Sequence, residues 1–560
     1  MSTISNVLYL LILTCTGLET SISTFAGRTL FTLKYLAKGY TDCPSYKQEK
    51  LPYIFDGTMT VTQGSSRLKA ALEKYKNINP SSFLLGASTS EHQCSHECKP
   101  EFCSAVRFAQ QHNLPQPGDP EFGQINLWDN YKSYIDYAKD HLHLNSLRFS
   151  IEWALVEKTR GVYDQNVLAH YADQYLYAIQ KGITPVVCFH HYTDPCWFID
   201  QSGFEKTANI KLFAQFCTSV YEYITHALLL SAQNKLLTDQ AIELIRLRPP
   251  LFATFNSPEG YAFKGYYEQV SPPFDKKKIG FSWVSLVLGN MMKAHVAAYN
   301  DIKALYMRTI SQVPQELKCF IPEPQIGFLK NIHQLDPAVD GGIIHNAIHP
   351  LIGGFGDLIQ NEGIYQFFTT GKYNVGHVAK SRISIIDKRA PDSLDFIGLN
   401  YYSNRHMSYG KTVQEPEELQ TDNNRYSIYP SGLYRAIAEL SDRLAKPLGA
   451  RRYPNQRRAI PIFVTENGIA TQDEAQRNRF YAQYLEALIQ AVQDGYDVRG
   501  YLTWTLADNY EWQRIPAKRF DTTNKRRLYG LCTVSEGGAT LAKKAGAQFY
   551  CNLANEFLYK

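Results

Sequence analysis

The sequence predicts an α/β fold, a (β/α)8 TIM barrel with enlarged βα loops and an N-terminal extension. Three observations carry this reading. Eight short apolar runs alternate with longer amphipathic stretches across residues 81–560. No internal repeat of 20–50 residues and no low-complexity tract interrupts them, which argues against solenoids and propellers. The composition, 44% hydrophobic and 20% charged, is that of a globular chain and excludes disordered, collagen-like and coiled-coil classes.

The predicted strands are, in order, Phe83–Ala87, Leu144–Phe149, Ile183–Phe189, Leu251–Phe255, Gln325–Phe328, Leu394–Leu399, Ile460–Val464 and Gly500–Trp504. Between them lie helix-like stretches at Tyr131–Leu142, Asn166–Lys181, Ile210–Leu229, Ser285–Tyr306 and Gln476–Gln493. Strand runs separated by helical periods are the mark of βαβ crossovers and a parallel sheet. Residues 96–125, 403–425 and 445–458 lack either period and are expected as loop insertions. The basic run Lys446 to Arg458 reads as a solvated loop.

Residues 1–80 are expected as a partly helical extension outside the 81–560 barrel. Within it, Val7 to Leu18 is an apolar run of twelve. A membrane span takes about 20 residues, so this run suits a signal-peptide core or a helix packed on the main domain. The first basic residue, Arg28, lies beyond it, and no clear A-x-A cleavage site follows. These features tip the expected location toward the cytoplasm and argue against membrane association. A net charge of +5 over 560 residues is too dilute to suggest nucleic acid as a partner.

Eleven cysteines do not make a disulfide-dense scaffold at this length. Cys94, Cys98 and Cys103 cluster in sequence with His92 and His96. The C-x3-C-x4-C spacing matches no standard zinc pattern and no partner pair follows, so free thiols or a local loop bridge are expected ahead of a metal.

In a barrel of this kind the active site lies at the C-terminal ends of the strands. Read in order, those positions hold Gln93, Arg148, His191, Asn256, Asn400 with Tyr402, Glu466 and Trp504. Donors, acceptors and aromatic faces converging on one rim suit a polyhydroxylated ligand, whose hydroxyls need hydrogen bonds and whose C–H faces need aromatic rings.

Seven segments sharpen this: FLLGASTSEHQ, LNSLRFSIEW, GITPVVCFHHYTDPCWF, ATFNSPEGY, DFIGLNYYS, FVTENGI and YLTWTLADNYEW. In this order, from about Ser81 to about Leu531, the chain resembles the family 1 glycoside hydrolases, retaining β-glucosidases and β-galactosidases. The resemblance implies that Glu466 is the catalytic nucleophile. It implies that Gln93, His191, Asn256, Trp504 and Glu511 hold the glycone sugar, with Trp512 a sugar-contacting aromatic. Arg148, Asn400 and Tyr402 match positions that orient and tune the nucleophile. An Arg and a Tyr beside a carboxylate favour its ionised form. The implied partner is a small-molecule or oligosaccharide β-glycoside, in carbohydrate metabolism. No metal or organic cofactor is implied, because carboxylates carry this chemistry.

One departure stands at the centre. Family members read Thr-Phe-Asn-Glu-Pro, the Glu being the general acid/base; here the segment is Thr254-Phe255-Asn256-Ser257-Pro258-Glu259. Ser257 therefore occupies the acid/base position. Retaining hydrolysis uses two carboxyl groups about 5–5.5 Å apart, and loss of general acid–base help puts roughly 10²–10⁴-fold of rate at risk. The family's thioglucosidases also lack this Glu, carrying Gln. Glu259 is a substitute candidate, although Ser257-Pro258-Glu259 reads first as a helix opening with a serine N-cap, proline at N1 and an acid in the first turn. Smaller departures are Tyr192 where the family has Trp after the glycone histidine, Tyr426 in place of an expected Trp, and an apparent insertion (DTTNKRR) after Arg519-Phe520. Two readings follow: hydrolysis or transfer with an altered acid/base step, or a sugar-binding pseudoenzyme.

Overall fold

Eight parallel strands close on themselves in the order in which they occur along the chain. They are β1 (Leu84–Ser88), β2 (Ser146–Ser150), β3 (Thr184–Cys188), β4 (Leu251–Asn256), β5 (Gln325–Asn331), β6 (Phe396–Asn400), β7 (Ile462–Glu466) and β8 (Val498–Trp504). The computed structural model describes residues 52–74, 79–119, 125–272, 277–332, 334–337, 358–376, 382–408, 411–413, 418–422, 426–447, 457–458, 460–512 and 527–560. Closure is made by β1 against β8, with Leu84 level with Gly500 and Ser88 level with Trp504. The (β/α)8 barrel expected from the alternating runs is what the chain forms.

The strands read as continuous apolar runs because both faces are covered. Inside the barrel, Leu84, Val186, Leu251, Ala253, Leu329, Phe396, Phe463 and Leu502 pack as their own cluster. The outer faces meet the ring of helices. The predicted helices occur at Leu127–Asp140, Gln165–Gln180, Ile210–Gln233, Phe281–Gln312 and Glu474–Gln493. Gln165–Gln180 shows why. Asp164 caps it by accepting from the Asn166 and Val167 N–H groups, and Leu168, Tyr171, Ala172, Tyr175 and Ala178 recur on its buried face. Three more helices complete the ring at Gly363–Thr370, Pro430–Leu444 and Gln548–Tyr559.

The stretch 96–125 is not wholly irregular, since Ser104–Gln111 is helical. Within 403–425, Asn404–Ser408 pairs with Gln334–Pro337 and Lys411–Val413. Of residues 1–80, the helix Val61–Lys74 packs on the helices at 474–493 and 548–559. Arg67 fastens it by donating to Gln490 at 3.1 Å and to Gln493 at 2.8 Å. The apolar run Val7–Leu18, the DTTNKR part of the apparent insertion and most of the basic run at 446–458 lie outside the described residues. Among the described residues no helix is long and apolar enough to cross a membrane.

Candidate active site

Four polar side chains of the expected rim stand on the last residue of their strands: Asn256 on β4, Asn400 on β6, Glu466 on β7 and Trp504 on β8. Arg148 sits in the middle of β2, and its guanidinium is fully buried. The register of the sheet slips between Ala253 and Asn256 on β4, and between Val464 and Glu466 on β7. Such slips re-aim side chains at the rim of a barrel. They fall where the chain delivers Asn256 and Glu466.

Glu466 is 5% exposed. One carboxylate oxygen accepts from Arg148 Nη2, and the other accepts from Tyr402 OH at 2.6 Å. Burial, followed by the charge of Glu466, pushes the Tyr402 phenol well above its ordinary range, so it remains a donor. Arg148 Nη1 donates to Asn256 Oδ1 at 2.9 Å, and Asn400 Nδ2 donates to the same oxygen at 2.9 Å. Thr465 Oγ1 in turn donates to Asn400 Oδ1 at 2.7 Å. Sequence reasoning missed this threonine; only its place beside Glu466 could have signalled it.

The residues expected to hold a sugar form a second set, also largely buried. Asn256 Nδ2 donates toward His191 Nε2 at 3.2 Å. The Asn256 oxygen is already fixed by two donors, so His191 Nε2 is the acceptor and Nδ1 carries the proton. Burial, reinforced by the Arg148 charge, holds the His191 pKa well below its ordinary value, so the ring is neutral. Its ring stacks on Trp504 with centroids 5.7 Å apart. Trp504 Nε1 donates to Glu511 Oε1 at 3.0 Å. Burial lifts the Glu511 carboxyl to about 7, against the Trp504 hydrogen bond that lowers it. Gln93 donates from Nε2 to the Tyr510 carbonyl at 2.8 Å. Gln93 Oε1, His191 Nδ1 and Trp512 Nε1 are buried without a hydrogen-bond partner. A polyhydroxylated ligand would satisfy such atoms. Tyr426 stacks on Tyr402 at 6.0 Å, and Tyr192 meets Trp512 edge-on at 5.7 Å.

At the end of β4 the helix opens as expected at Pro258, but Ser257 does not cap it. Its backbone is left-handed, with φ 46° and ψ 57°, whereas a capping side chain needs an extended backbone. The Ser257 hydroxyl instead accepts from Asn400 Nδ2 at 2.9 Å. Glu259 lies in the first helical turn, 3% exposed, and one of its oxygens accepts from the backbone N–H of Asn331 at the end of β5. Burial raises its pKa, against the Lys330 charge. Beyond it, the Tyr192 hydroxyl packs where a side chain on Gly260 would stand, at 2.6 Å from an added Cβ. The Lys264 ammonium lies 4.5 Å over the Tyr192 ring. Lys264, like Thr465, was not anticipated. The apolar groove lined by Tyr175, Tyr221, Leu244 and Phe252 opens at the starts of β3 and β4, the opposite end of the barrel.

All nine described cysteines are free thiols, so no loop bridge forms among them. Of the His/Cys cluster, His92, Cys98 and Cys103 come together. Cys94 is buried in the main core, and His96 turns toward Gly118.

An eight-stranded parallel barrel with a buried carboxylate, aromatic rings and unpaired polar atoms at its strand ends defines the class of α/β-barrel proteins built to handle small polar ligands. The match is specific: the glycosyl hydrolase family 1 pattern covers residues 76–232 and 244–556, and the chain belongs to that family. It is similar to the β-galactosidase of Sulfolobus acidocaldarius, with 24% identity over 463 residues, covering 72% of this chain and 80% of that one. The chloroplastic galactolipid galactosyltransferase of Arabidopsis thaliana is 22% identical over 416 residues, covering 72% of this chain and 54% of that protein. Among solved structures, the β-glycosidase from Pyrococcus horikoshii superposes with a TM-score of 0.61 at 25% identity, covering 85% of this chain and 95% of that one.

Proposed function

We propose that the chain acts on β-glycosides through Glu466 as nucleophile, with an altered acid/base step. One observation carries the reading. Arg148 and Tyr402 both hold the Glu466 carboxylate, while the residue that follows β4 is a serine.

In the first step a Glu466 oxygen attacks the anomeric carbon. The carbon–oxygen bond to the leaving group breaks, and the leaving group departs with the electron pair. Arg148 and Tyr402 hold the carboxylate in place for attack. His191, Asn256, Gln93 and Glu511 bind sugar hydroxyls, and Trp504 and Trp512 pave the ring faces. Ser257 cannot supply a proton at a useful pKa, so leaving groups that depart as stable anions are favoured. In the second step an acceptor replaces Glu466 at the anomeric carbon. Ser257 cannot deprotonate water either, so acceptors that are already anionic work best. The hydrogen bond from the Asn331 backbone to Glu259 supports a structural role for that acid rather than a substitute catalytic one. That one relative is named a galactosyltransferase accords with transfer as an outcome on this scaffold.

A second reading, a non-catalytic sugar binder, draws on the same serine and on the unpaired atoms of Gln93, His191 and Trp512. Incubation with an aryl β-glycoside of good leaving ability, with and without azide, separates the two. Aryl release that azide accelerates and that Glu466→Gln abolishes is the expected result. Sugar binding by calorimetry without any release would establish the binder instead.

A further inference from the structure

We propose that His92, Cys98 and Cys103 form a metal site for a thiolate-preferring divalent ion, zinc, beside the sugar pocket. One ligating atom from each residue lies within 4.8 Å of the other two. The loop achieves this by turning back on itself. Cys103 N–H donates to the Lys99 carbonyl at 2.9 Å, and Ser104 N–H to the Asp194 carbonyl at 3.0 Å, which carries Cys103 beneath the short helix Glu91–Cys94. The C-x3-C-x4-C spacing concealed the site because Cys94 is not part of it. The ligand set is one histidine and two cysteines with four residues between them.

The chemistry fits in three respects. Zinc bonds to sulfur at about 2.3 Å and to imidazole nitrogen at about 2.0–2.1 Å, so a tetrahedral ion wants its ligand atoms about 3.5–3.8 Å apart, a small contraction from the observed limit. His92 is 4% exposed, and its Nδ1 is buried without a hydrogen-bond partner. Two thiolates and a neutral imidazole cancel the charge of a divalent ion, the combination a buried site requires. Binding would release the thiol protons to solvent. Three protein ligands leave one tetrahedral position, and Cys98, only partly buried, is where solvent reaches it.

The site would work on the pocket through its neighbours. His92 precedes Gln93, and its ring stacks on Trp512 with centroids 5.0 Å apart and planes 15° from parallel. A metal on His92 would therefore fix two sugar-facing residues at once, as a positioning element and not a catalytic one.

The test uses the full-length protein, stripped with a chelator under reducing conditions. Zinc uptake is measured by elemental analysis and by competition with a chromophoric chelator, and cobalt(II) serves as a spectroscopic probe. The expected result is one ion per chain, with a thiolate-to-cobalt charge-transfer band. Cys98→Ser and Cys103→Ser should each lose stoichiometric uptake, and Cys94→Ser should keep it. Zinc should also shift the tryptophan fluorescence of the parent protein. Absence of stoichiometric uptake by the parent would overturn the proposal. So would uptake unchanged in the Cys98→Ser/Cys103→Ser double variant, or a Cys98–Cys103 disulfide in peptide maps of protein alkylated at lysis. The parent's ion count and cobalt spectrum decide the matter even if a variant fails to fold.

Discussion

The ends of β7 and β4 are joined through Arg148 and Asn400 and differ in kind. At β7, both carboxylate oxygens of Glu466 are held. Arg148 and Tyr402 hold its two oxygens, and Arg148, Asn256, Asn400 and Thr465 are chained behind by hydrogen bonds. At β4, Ser257 accepts from Asn400 and also hydrogen-bonds Tyr192, the nearby acid is turned to the β5 backbone, and the same tyrosine, under a lysine, fills the space beyond. Stabilising charge and transferring protons are separable functions of a glycosidase pocket. On the proposed reading, this chain keeps the apparatus for the first and has changed that for the second.

The largest expected effect is on the β7 side. Glu466→Gln should lower aryl release by roughly 10⁴-fold or more, since it removes the attacking oxygen. On the β4 side, Ser257→Glu should raise turnover of alkyl β-glycosides, which need a protonated leaving group, by about 10²–10⁴-fold, and barely change the initial burst rate of dinitrophenol release from dinitrophenyl glycosides, because only their second step needs a base. Initial rates on the two substrates read this directly. Equal effects on both would dissolve the contrast between the two strand ends. Tyr402→Phe should cost about 10–100-fold in the attack step, the worth of one hydrogen bond to a charged group, measured as pre-steady-state aryl release.

Glu511 gives a pH-dependent test. Its folded pKa of about 7 lies above the ordinary 4.5, so the folded state holds this proton more tightly than the unfolded one. That contribution to stability is complete below about pH 4.5 and is lost as pH rises through about 7, on the order of 3 kcal/mol in all. Denaturant midpoints of Glu511→Gln should fall less steeply over that window than those of the parent. They should not become flat, because buried Glu91 is also lifted to about 7. The smallest effect belongs to Glu259→Gln, which keeps an acceptor for the Asn331 N–H and should change aryl release by less than about threefold. A loss near 10²-fold would return Glu259 to the catalytic set.

Most of the barrel was legible in the sequence, because buried parallel strands must be apolar on both faces and leave unmistakable runs. Phe396–Asn400 and Ile462–Glu466 begin two residues inside the runs that marked them, at Leu394 and Ile460. Asn256, Asn400, Glu466 and Trp504 were legible because strand ends place them, whereas Arg148 lies in mid-strand and Gln93 in the short helix Glu91–Cys94. What the sequence could not convey was direction. Ser257-Pro258-Glu259 has the composition of a capped helix, yet a left-handed backbone turns the serine toward Asn400 and the acid toward β5. The thiol cluster shows the same limit: spacing along the loop suggested three cysteines, and folding chose two of them with a histidine.

The central claim, that Glu466 attacks without an acid/base partner, is tested most directly by intact-protein mass spectrometry after mixing with a dinitrophenyl β-glycoside. The account predicts a mass gain of one glycosyl group, mapped to the peptide bearing Glu466, that builds up in the parent, disappears with azide and does not accumulate in Ser257→Glu. No adduct in the parent, or an adduct on any other residue, would contradict it.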